Sequence, residues 1–306
     1  MQDFDAILIA GPTASGKSAL ALSLAQRCNG DIINADALQV YQHWNLLSAR
    51  PSDAELGLAP HHLYGHVPLL SEYSVGHWLR EIETLLPKLT EKRRMPIIVG
   101  GTGLYFDAAL NGLADIPEIS TDTKHAADEL VKNNGLQEFA RILKETDPET
   151  AKIIDLKNPA RTRRAWEVLK QTGVGLAQWH AQTPTGFLAN KNICKVALTS
   201  DVDWLNARIS KRFEQMIIKG AITECETVLQ NDLWDHAHPS CRAIGAAELI
   251  ASISGEITQA EAIEQAITAT RRYAKRQRTW MRNRMKDWIM LPIDNENAVN
   301  MWINML

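Results

Sequence analysis

The chain has 306 residues, too many for one small domain and enough for a core with an insertion. Hydrophobic residues make up 45% of it and the net charge is −3, which neither indicates nor excludes a nucleic-acid partner. The four cysteines form no C-x-x-C pair and no metal-binding spacing, which predicts reduced thiols in a cytosolic protein. No apolar run approaches the ~18 residues that span a membrane, and the start "MQDFDAILIAG" carries acids where a signal peptide carries bases.

The amino end combines a short apolar strand with a glycine-rich loop. Ala6–Ala10 has strand length, and the "GPTASGKS" that follows has the pattern G-x-x-x-x-G-K-[ST]. A helical run comes next, so the motif has the flanks of a phosphate-binding loop. Backbone N–H groups, the helix start and the Lys17 ammonium attract an anion, and the Ser18 hydroxyl suits Mg²⁺. The predicted phosphate-binding residues are Gly11, Pro12, Thr13, Ala14, Ser15, Gly16, Lys17 and Ser18. The motif alone leaves open whether the phosphates belong to ATP or to another molecule.

Short apolar runs alternate with amphipathic stretches through the first third of the chain. Strands are predicted at Asp31–Asp36 and at Met95–Val99, and the second of them ends in glycines before a helical segment. This alternation predicts an α/β fold with a central parallel sheet flanked by helices. Ligands of such sheets bind at the carboxyl ends of the strands. Asp36 and the Gly100–Gly103 turn should therefore lie beside the phosphate loop.

The middle of the chain is predicted to be a helical insertion between two polar stretches that contain proline. Asp147-Pro148 and Asn158-Pro159 each predict a helix start, and Gly173 predicts the end of the second helix. We therefore predict a helical insertion domain at 114–190 and a core domain made of 1–113 and 191–306. In the second part of the core, a strand is expected at Ile193–Leu198, followed by a helix from about Asp203 to Gly220.

A long helix with a strongly basic segment is predicted near the carboxyl end. The capping-box pattern at Thr258 opens it, and it should run to about Lys286. Eight of the sixteen residues from Arg271 to Lys286 are basic and none is acidic, which favours binding to a phosphate backbone over an ordinary solvated face. Trp280 suits either base stacking or packing on the core. The basic face is predicted at Arg271, Lys275, Arg278 and Arg282, and the docking stripe at Ala274, Gln277, Met281, Met285 and Trp288. A second basic cluster comprises Arg161, Arg163 and Arg164.

Three candidate sites stay open on motif physics alone. The strand Met95–Val99 lacks the terminal Asp that holds Mg²⁺ in many nucleoside triphosphatases. Asp36 is the available carboxylate, and it also suits metal binding or helix capping. Arg212 suits either a phosphate or a surface acid such as Glu214, and the motif by itself favours the surface acid. The neighbouring His61 and His62 should point in different directions, which argues against a shared metal.

Several motifs occur in one order along nearly the whole chain. They are GPTASGKS, DALQVY, SARP, PHHL, VGGTGLYF, RAIG and YAKRQRTWMR. Together they resemble the tRNA dimethylallyltransferases, or IPP transferases, which prenylate the adenosine next to the anticodon. The resemblance implies a P-loop NTPase-like core with an inserted all-helical domain, both contacting the anticodon stem-loop. The related adenylate isopentenyltransferases act on free nucleotides, and the helical and basic segments fit the tRNA-acting branch better.

The resemblance also implies substrates and residue roles. The phosphate loop is expected to hold the diphosphate of dimethylallyl diphosphate with Mg²⁺, and the target base is expected to leave its stack. Asp36 would accept the proton of the N6 amine, and Lys17 and Arg212 would neutralise the departing diphosphate. The Thr102 hydroxyl is expected to bond to a phosphate oxygen or to the base. The residues implied to contact tRNA are Asp36, Ala37, Leu38, Gln39, Thr102, Ala160, Arg161, Thr162, Arg163, Arg164, Arg242, Ala243, Ile244, Gly245, Ala246 and Ala247.

Three positions depart from the family pattern. Ala37 stands where the family usually has serine, Arg50 where it has lysine and Ala246 where it has tyrosine. At position 50 the charge is kept, but arginine is planar and bulkier than lysine. All three departures bear on the finer contacts to the target base.

Two other hypotheses come from different functional classes. One is a small-molecule kinase or ATPase, against which the missing strand-end Asp and the basic helix both count. The other is an RNA-binding protein that has lost its chemistry, against which the intact Lys17, Asp36 and Thr102 count. We expect a cytoplasmic monomer that binds no membrane.

Overall fold

Six parallel strands form one sheet in the order β3-β2-β4-β1-β5-β6. The computed structural model describes residues 4–236 and 238–305. Because β1 pairs with β4 at Ala10↔Gly100 and β4 with β2 at Val99↔Asn34, the carboxyl ends of these three strands meet at one edge. The strands are β1 Ala6–Ala10, β2 Gly30–Asn34, β3 His61–His62, β4 Met95–Gly100, β5 Ile193–Thr199 and β6 Ile289–Pro292.

The sheet belongs to a compact unit formed by Met1–Ala108 and Asn190–Leu306. One face buries Ile9, Ile97 and Val196 against Leu20 and Leu24 of the first helix. The helices that begin in the first segment are α1 Lys17–Cys28, α2 Asp53–Leu56, α3 Val75–Glu91 and α4 Gly103–Asn111. No helix among the described residues combines the length and apolar character needed to cross a bilayer.

The second unit, Ala109–Ala189, is helical. The Asp147 side chain caps one of its helices and the Asn158 side chain caps another, and Gly173, with φ +70°, ends the latter. Its core contains Leu143, Ala165 and Val168. Its helices are α5 Thr121–Asn134, α6 Glu138–Thr146, α7 Pro148–Ile153, α8 Pro159–Thr172 and α9 Leu176–Ala181.

The rest of the first unit is mostly helical and forms a second core. Phe213 and Leu249 pack there with Trp44, whose indole N–H donates to the Ser240 carbonyl at 3.0 Å. The elements are α10 Val202–Ile218, α11 Ala221–Gln230, a 3₁₀ turn at Pro239–Arg242, α12 Ala246–Ile253, α13 Gln259–Arg284 and α14 Glu296–Met305.

The predicted strands β1, β4 and β5 are confirmed to within one residue, and three further elements differ from their predicted bounds by about two residues. β2 ends at Asn34, so Asp36 lies just beyond it. α10 is capped by Asp201 rather than near Asp203, because the Asp201 carboxylate accepts the N–H groups of residues 203 and 204. α13 opens with the predicted capping box at Thr258 but ends at Arg284. β3 and β6 were missed because they are two and four residues long.

Candidate functional site

The phosphate loop joins β1 to α1 and leaves backbone donors without side-chain caps. Ala14 and Gly16 adopt left-handed conformations, with φ of 63° and 94°. The N-cap of α1 is Gly16, so no side chain caps the N–H groups of the first helical turn. The buried hydroxyl of Ser15 has no hydrogen-bond partner. Free N–H groups at a helix start and an unpaired buried hydroxyl fit an anion.

Four basic side chains, Lys17, Arg50, Arg208 and Arg212, and one acid, Glu55, line the cavity of about 250 Å³ in front of this loop. Arg208 donates to the Ala14 carbonyl at 2.9 Å and lies over the Trp204 ring. Sequence reasoning missed Arg208, although its position four residues before Arg212 places both on one face of α10.

The excess of positive charge is partly desolvated. Burial lowers the pKa of Lys17 to about 8, an effect that Asp36 opposes and Arg212 reinforces. Burial likewise lowers the pKa of Arg212 to about 10, and Asp36 again opposes the shift. A diphosphate would supply the negative charge that these cations lack, since opposite charges favour the protonated forms.

Asp36 occupies the first turn after β2, at the strand edge that holds the phosphate loop. Its backbone N–H donates to Asn34 Oδ1 at 2.9 Å, and its Oδ1 accepts the Leu38 N–H at 3.1 Å. The carboxylate lines a narrow cavity of about 60 Å³ whose other walls include Thr13, Ala14, Leu38, Arg212, Phe213, Ile244 and Tyr273. The cavity thus joins a carboxylate, a guanidinium and the phosphate loop. Arg212 faces this cavity and the cationic one, so phosphate binding is favoured over a pair with the exposed Glu214.

The turn after β4 lies against the Asp36 segment, as predicted. Gly11 donates its N–H to the Gly100 carbonyl at 3.3 Å, and a Cβ on Gly100 would overlap the Ala35 carbonyl. The Thr102 N–H donates to the Ala35 carbonyl at 3.2 Å, and the Thr102 hydroxyl accepts the Ala37 N–H at 2.9 Å. Thr102 therefore supports the Asp36 loop, and its own hydroxyl proton is left for another acceptor.

The segment Asp36–Gln39 presents only some of its side chains. Leu38 lines the Asp36 cavity, whereas Gln39 is buried and donates its amide to the carbonyls of Ser48 and Ala49, both at 2.9 Å. The Gln39 amide thus stabilises the neighbouring turn at residues 48 and 49.

The basic face of α13 is exposed at Arg271, Lys275 and Arg282 and half-buried at Arg278. Arg271 donates to the Ser210 hydroxyl at 2.9 Å. All residues of the predicted docking stripe are buried, but only three of them lie within the helix. Ala274, Gln277 and Met281 confirm the helical stripe, whereas Met285 is the C-cap and Trp288 lies beyond the end of α13. Trp280 packs on the turn, because a Cβ on Gly103 would overlap its indole ring. It also lines a cavity of about 250 Å³ with Thr102 and Tyr273.

The segment 242–247 is split between surface and core. Arg242 and Ala247 are exposed, and Ile244 lines the Asp36 cavity. The remaining three, Ala243, Gly245 and Ala246, are buried and support packing rather than presenting side chains.

The predicted tRNA-binding cluster of the helical unit is also divided. Ala160, Arg161 and Arg164 are exposed at the start of α8, and Thr162 is buried. Arg163 is paired with Asp128 at 2.5 Å and Glu167 at 2.7 Å, so its charge is already neutralised within the unit.

The Ser18 hydroxyl is the side chain suited to Mg²⁺, and it is exposed beside the cationic cavity. A single hydroxyl fits an ion whose other ligands are diphosphate oxygens and water. Groups of three or more His, Cys, Asp or Glu residues able to hold a metal do not occur in the described ranges. His61 bonds to the Ala59 carbonyl and His62 to the Asp31 carboxylate, so the two rings have different partners, in keeping with the prediction that they point in different directions.

The fold and the site define a P-loop α/β protein in which the phosphate loop adjoins an aspartate and an arginine. A family model described as IPP transferase matches residues 39–284, and one described as isopentenyl transferase matches residues 4–62. The chain belongs to the IPP transferase family.

Curated relatives and solved structures agree with this family. A tRNA dimethylallyltransferase of Cereibacter sphaeroides is 53% identical over 94% of this chain and 96% of the relative. One of Dinoroseobacter shibae is 51% identical over 94% of both. The tRNA isopentenylpyrophosphate transferase structure from Bacillus halodurans has a TM-score of 0.70 at 31% identity, covering 98% of this chain and 94% of that one. A eukaryotic dimethylallyltransferase acting on tRNA shares the fold, with a TM-score of 0.80 at 24% identity over 94% of this chain and 73% of that chain.

Proposed function

We propose that the protein transfers a dimethylallyl group from dimethylallyl diphosphate to tRNA, at the N6 amine of the adenosine immediately 3′ of the anticodon. One observation carries this proposal. The Asp36 carboxylate and the Arg212 guanidinium line a single cavity with Thr13 and Ala14 of the phosphate loop. The site therefore brings a proton acceptor and a diphosphate-binding cation to the same place, as displacement of diphosphate by an amine requires.

The donor diphosphate is held by the phosphate loop and by Lys17, Arg208 and Arg212. Backbone N–H groups at the start of α1 contribute directional donors, and the side chains contribute charge. Ser18 would share in holding Mg²⁺. Bound Mg²⁺ supplies positive charge to the diphosphate as it leaves.

The reaction forms a bond from the adenine N6 to the prenyl C1 and breaks the bond from C1 to the diphosphate oxygen. The N6 amine is a weak nucleophile because its lone pair is delocalised into the ring. Asp36 takes the N6 proton as the new bond forms, which leaves a neutral secondary amine. Arg212 and Lys17 stabilise the charge that develops on the diphosphate.

The anticodon stem-loop is bound through its phosphate backbone. The exposed Arg271, Lys275 and Arg282 of α13 supply one basic surface, and Arg161 and Arg164 of α8 supply another. The target adenine must unstack to reach Asp36, because a stacked base cannot enter a cavity.

The protein acts as a monomer in the cytoplasm. Its four cysteines are free thiols, three of them buried, as is usual in a reducing compartment.

The direct test mixes the protein with Mg²⁺, dimethylallyl diphosphate and unmodified tRNA, then digests the RNA and analyses the nucleosides by mass spectrometry. We expect N6-dimethylallyladenosine at the position 3′ of the anticodon. Free AMP in place of tRNA distinguishes an adenylate isopentenyltransferase, and ATP turnover without tRNA distinguishes a kinase or ATPase. Absence of the five-carbon adduct from tRNA would overturn the proposal.

A further inference from the structure

Gln277 is a buried amide in the middle of α13, where this helix meets the phosphate loop and the glycine turn. Its exposed fraction is 6%. Its Oε1 accepts the backbone N–H of Thr13 at 2.9 Å, and its Nε2 donates to the Gly101 carbonyl at 3.0 Å. Because the Thr13 N–H can only donate and the Gly101 carbonyl can only accept, these two partners fix the orientation of the amide. The amide also hydrogen-bonds to the phenol of Tyr273, one turn earlier on α13.

The two partners of Gln277 belong to the two halves of the site. Thr13 lies within the phosphate loop. Gly101 immediately precedes Thr102, whose hydroxyl accepts the Ala37 N–H next to Asp36. A continuous path of hydrogen bonds therefore runs from the diphosphate-binding loop through Gln277 to the segment that carries the carboxylate.

The space that the Gln277 amide fills exists because residue 101 is glycine. A Cβ on Gly101 would overlap Gln277 Nε2, and it would also lie 3.3 Å from Asp36 Oδ2. The amide thus packs against the turn within a few ångströms of the carboxylate. A polar group buried this closely against the turn is stabilised only while its hydrogen bonds are made.

We propose that Gln277 is a positioning residue for prenyl transfer, which fixes the phosphate loop relative to the Asp36 carboxylate. The inference rests on the proposed function, because that function requires the diphosphate and the proton acceptor in one geometry. Gln277 acts through Thr13 and Gly101. It lies on the same helix as the basic face, so the surface that binds RNA and the two loops of the site share one rigid element.

The first test is Gln277→Met, which keeps the side-chain length and removes both hydrogen-bonding groups. We expect kcat to fall by at least about tenfold, since misplacing reacting groups acts on the chemical step. KM for tRNA should stay within about twofold, because the basic face is untouched. The matched control is Gln265→Met on the same helix, where the glutamine is exposed and no decrease is expected.

The second test is Gln277→Glu. It measures the pH dependence of kcat relative to wild type, which a purely structural role of Gln277 would not change. A neutral carboxyl has one donor and one acceptor and can replace the amide, whereas an ionised one accepts only. The ratio of variant to wild-type kcat should therefore fall as pH rises and the introduced carboxyl ionises. Burial and the nearby Asp36 raise the pKa of that carboxyl, Arg276 on the same helix opposes them, and the Tyr273 phenol remains neutral. Dividing by the wild-type rate removes the pH dependence that the two proteins share.

A third variant, Gly101→Ala, displaces the amide without changing residue 277. It should lower kcat, and the double variant with Gln277→Met should be no slower than the slower single variant. Wild-type kcat in a folded Gln277→Met protein, or a ratio for Gln277→Glu that is flat from pH 5.5 to 9, would overturn the proposal. If Gln277→Met does not fold, the pH dependence of the kcat ratio between Gln277→Glu and wild type tests the proposal. Failure of the wild-type protein to prenylate tRNA would instead count against the proposed function.

Discussion

The hydroxyl oxygen of Thr102 accepts the backbone N–H of Ala37 at 2.9 Å, across 65 residues of sequence. Ala37 follows Asp36, so this hydrogen bond holds the backbone of the proposed base against the turn after β4. Thr102 thus has a supporting role that the resemblance did not indicate, whether or not its hydroxyl proton reaches a substrate.

We expect Thr102→Val to lower kcat while leaving tRNA affinity nearly unchanged. The substitution keeps the shape but leaves the half-buried Ala37 N–H without its acceptor. The loss costs about 1–3 kcal/mol for a fully buried donor, which is an upper bound here. Steady-state prenylation kinetics should show a decrease of about two- to tenfold if half of that cost falls on the transition state. Thr102→Ser, which retains the hydroxyl, serves as the control, and equal rates for both variants would contradict the assignment.

We expect Asp36→Asn to separate catalysis from binding. The asparagine oxygen can still accept the Leu38 N–H, which Asp36 Oδ1 accepts at 3.1 Å, so the turn should persist. Removal of the proton acceptor should lower kcat by about 10²–10⁴-fold. Filter binding should show tRNA affinity within about threefold of wild type, because phosphate contacts dominate that affinity. Unchanged turnover would remove Asp36 from the role of base.

Donor affinity should weaken as pH rises through about 8, the value to which burial lowers the pKa of Lys17. Above that pH the ammonium of the free protein loses its proton and its charge. Titration of a non-reactive dimethylallyl diphosphate analogue between pH 6.5 and 9.5 measures this change. Lys17→Arg, which stays charged throughout, should show a flatter profile, and a wild-type profile as flat as that of the arginine variant would contradict the prediction.

The same lowered pKa predicts the sign of a stability effect. Between about 8 and 10.4 an unfolded lysine binds a proton that the folded Lys17 has released. Through this group, the free energy of unfolding of the ligand-free protein should rise with pH in that window. The effect should be absent in Lys17→Met, and denaturant unfolding at several pH values provides the measurement.

The salt dependence of tRNA binding should identify which basic side chains bind phosphate. Replacing Arg271, Lys275 or Arg282 with glutamine should reduce the slope of log K against log salt by about 0.7–0.9 for each phosphate that the variant no longer neutralises. Arg163→Gln is the informative comparison, because that arginine is paired with Asp128 and Glu167 and should change stability more than the slope. Unchanged slopes for all three α13 variants would mean that this face does not bind the RNA backbone.

The sequence by itself determined the features that depend on neighbouring residues. The phosphate loop is eight consecutive residues, so the motif by itself identifies it. Gly16 permits one of its two left-handed conformations, and Ala14 adopts the other. The basic face of α13 and the part of the docking stripe from Ala274 to Met281 follow from the helical period, because one turn of helix sets which side chains share a face. The burial of Trp288, beyond the helix end, does not. The caps at Asp147, Asn158 and Thr258 are equally local.

The tertiary structure alone decided which distant residues complete the site. Gln277 is 264 residues from Thr13, and as a polar residue in an apolar stripe it gave no indication of its partners. Arg208 enters the site because α10 packs beside the phosphate loop, and Gln39 turns to backbone carbonyls because the 48–49 turn lies against it. Such contacts form only when the sheet brings the strand ends together. Their free energy depends on burial and geometry, which no sequence period encodes.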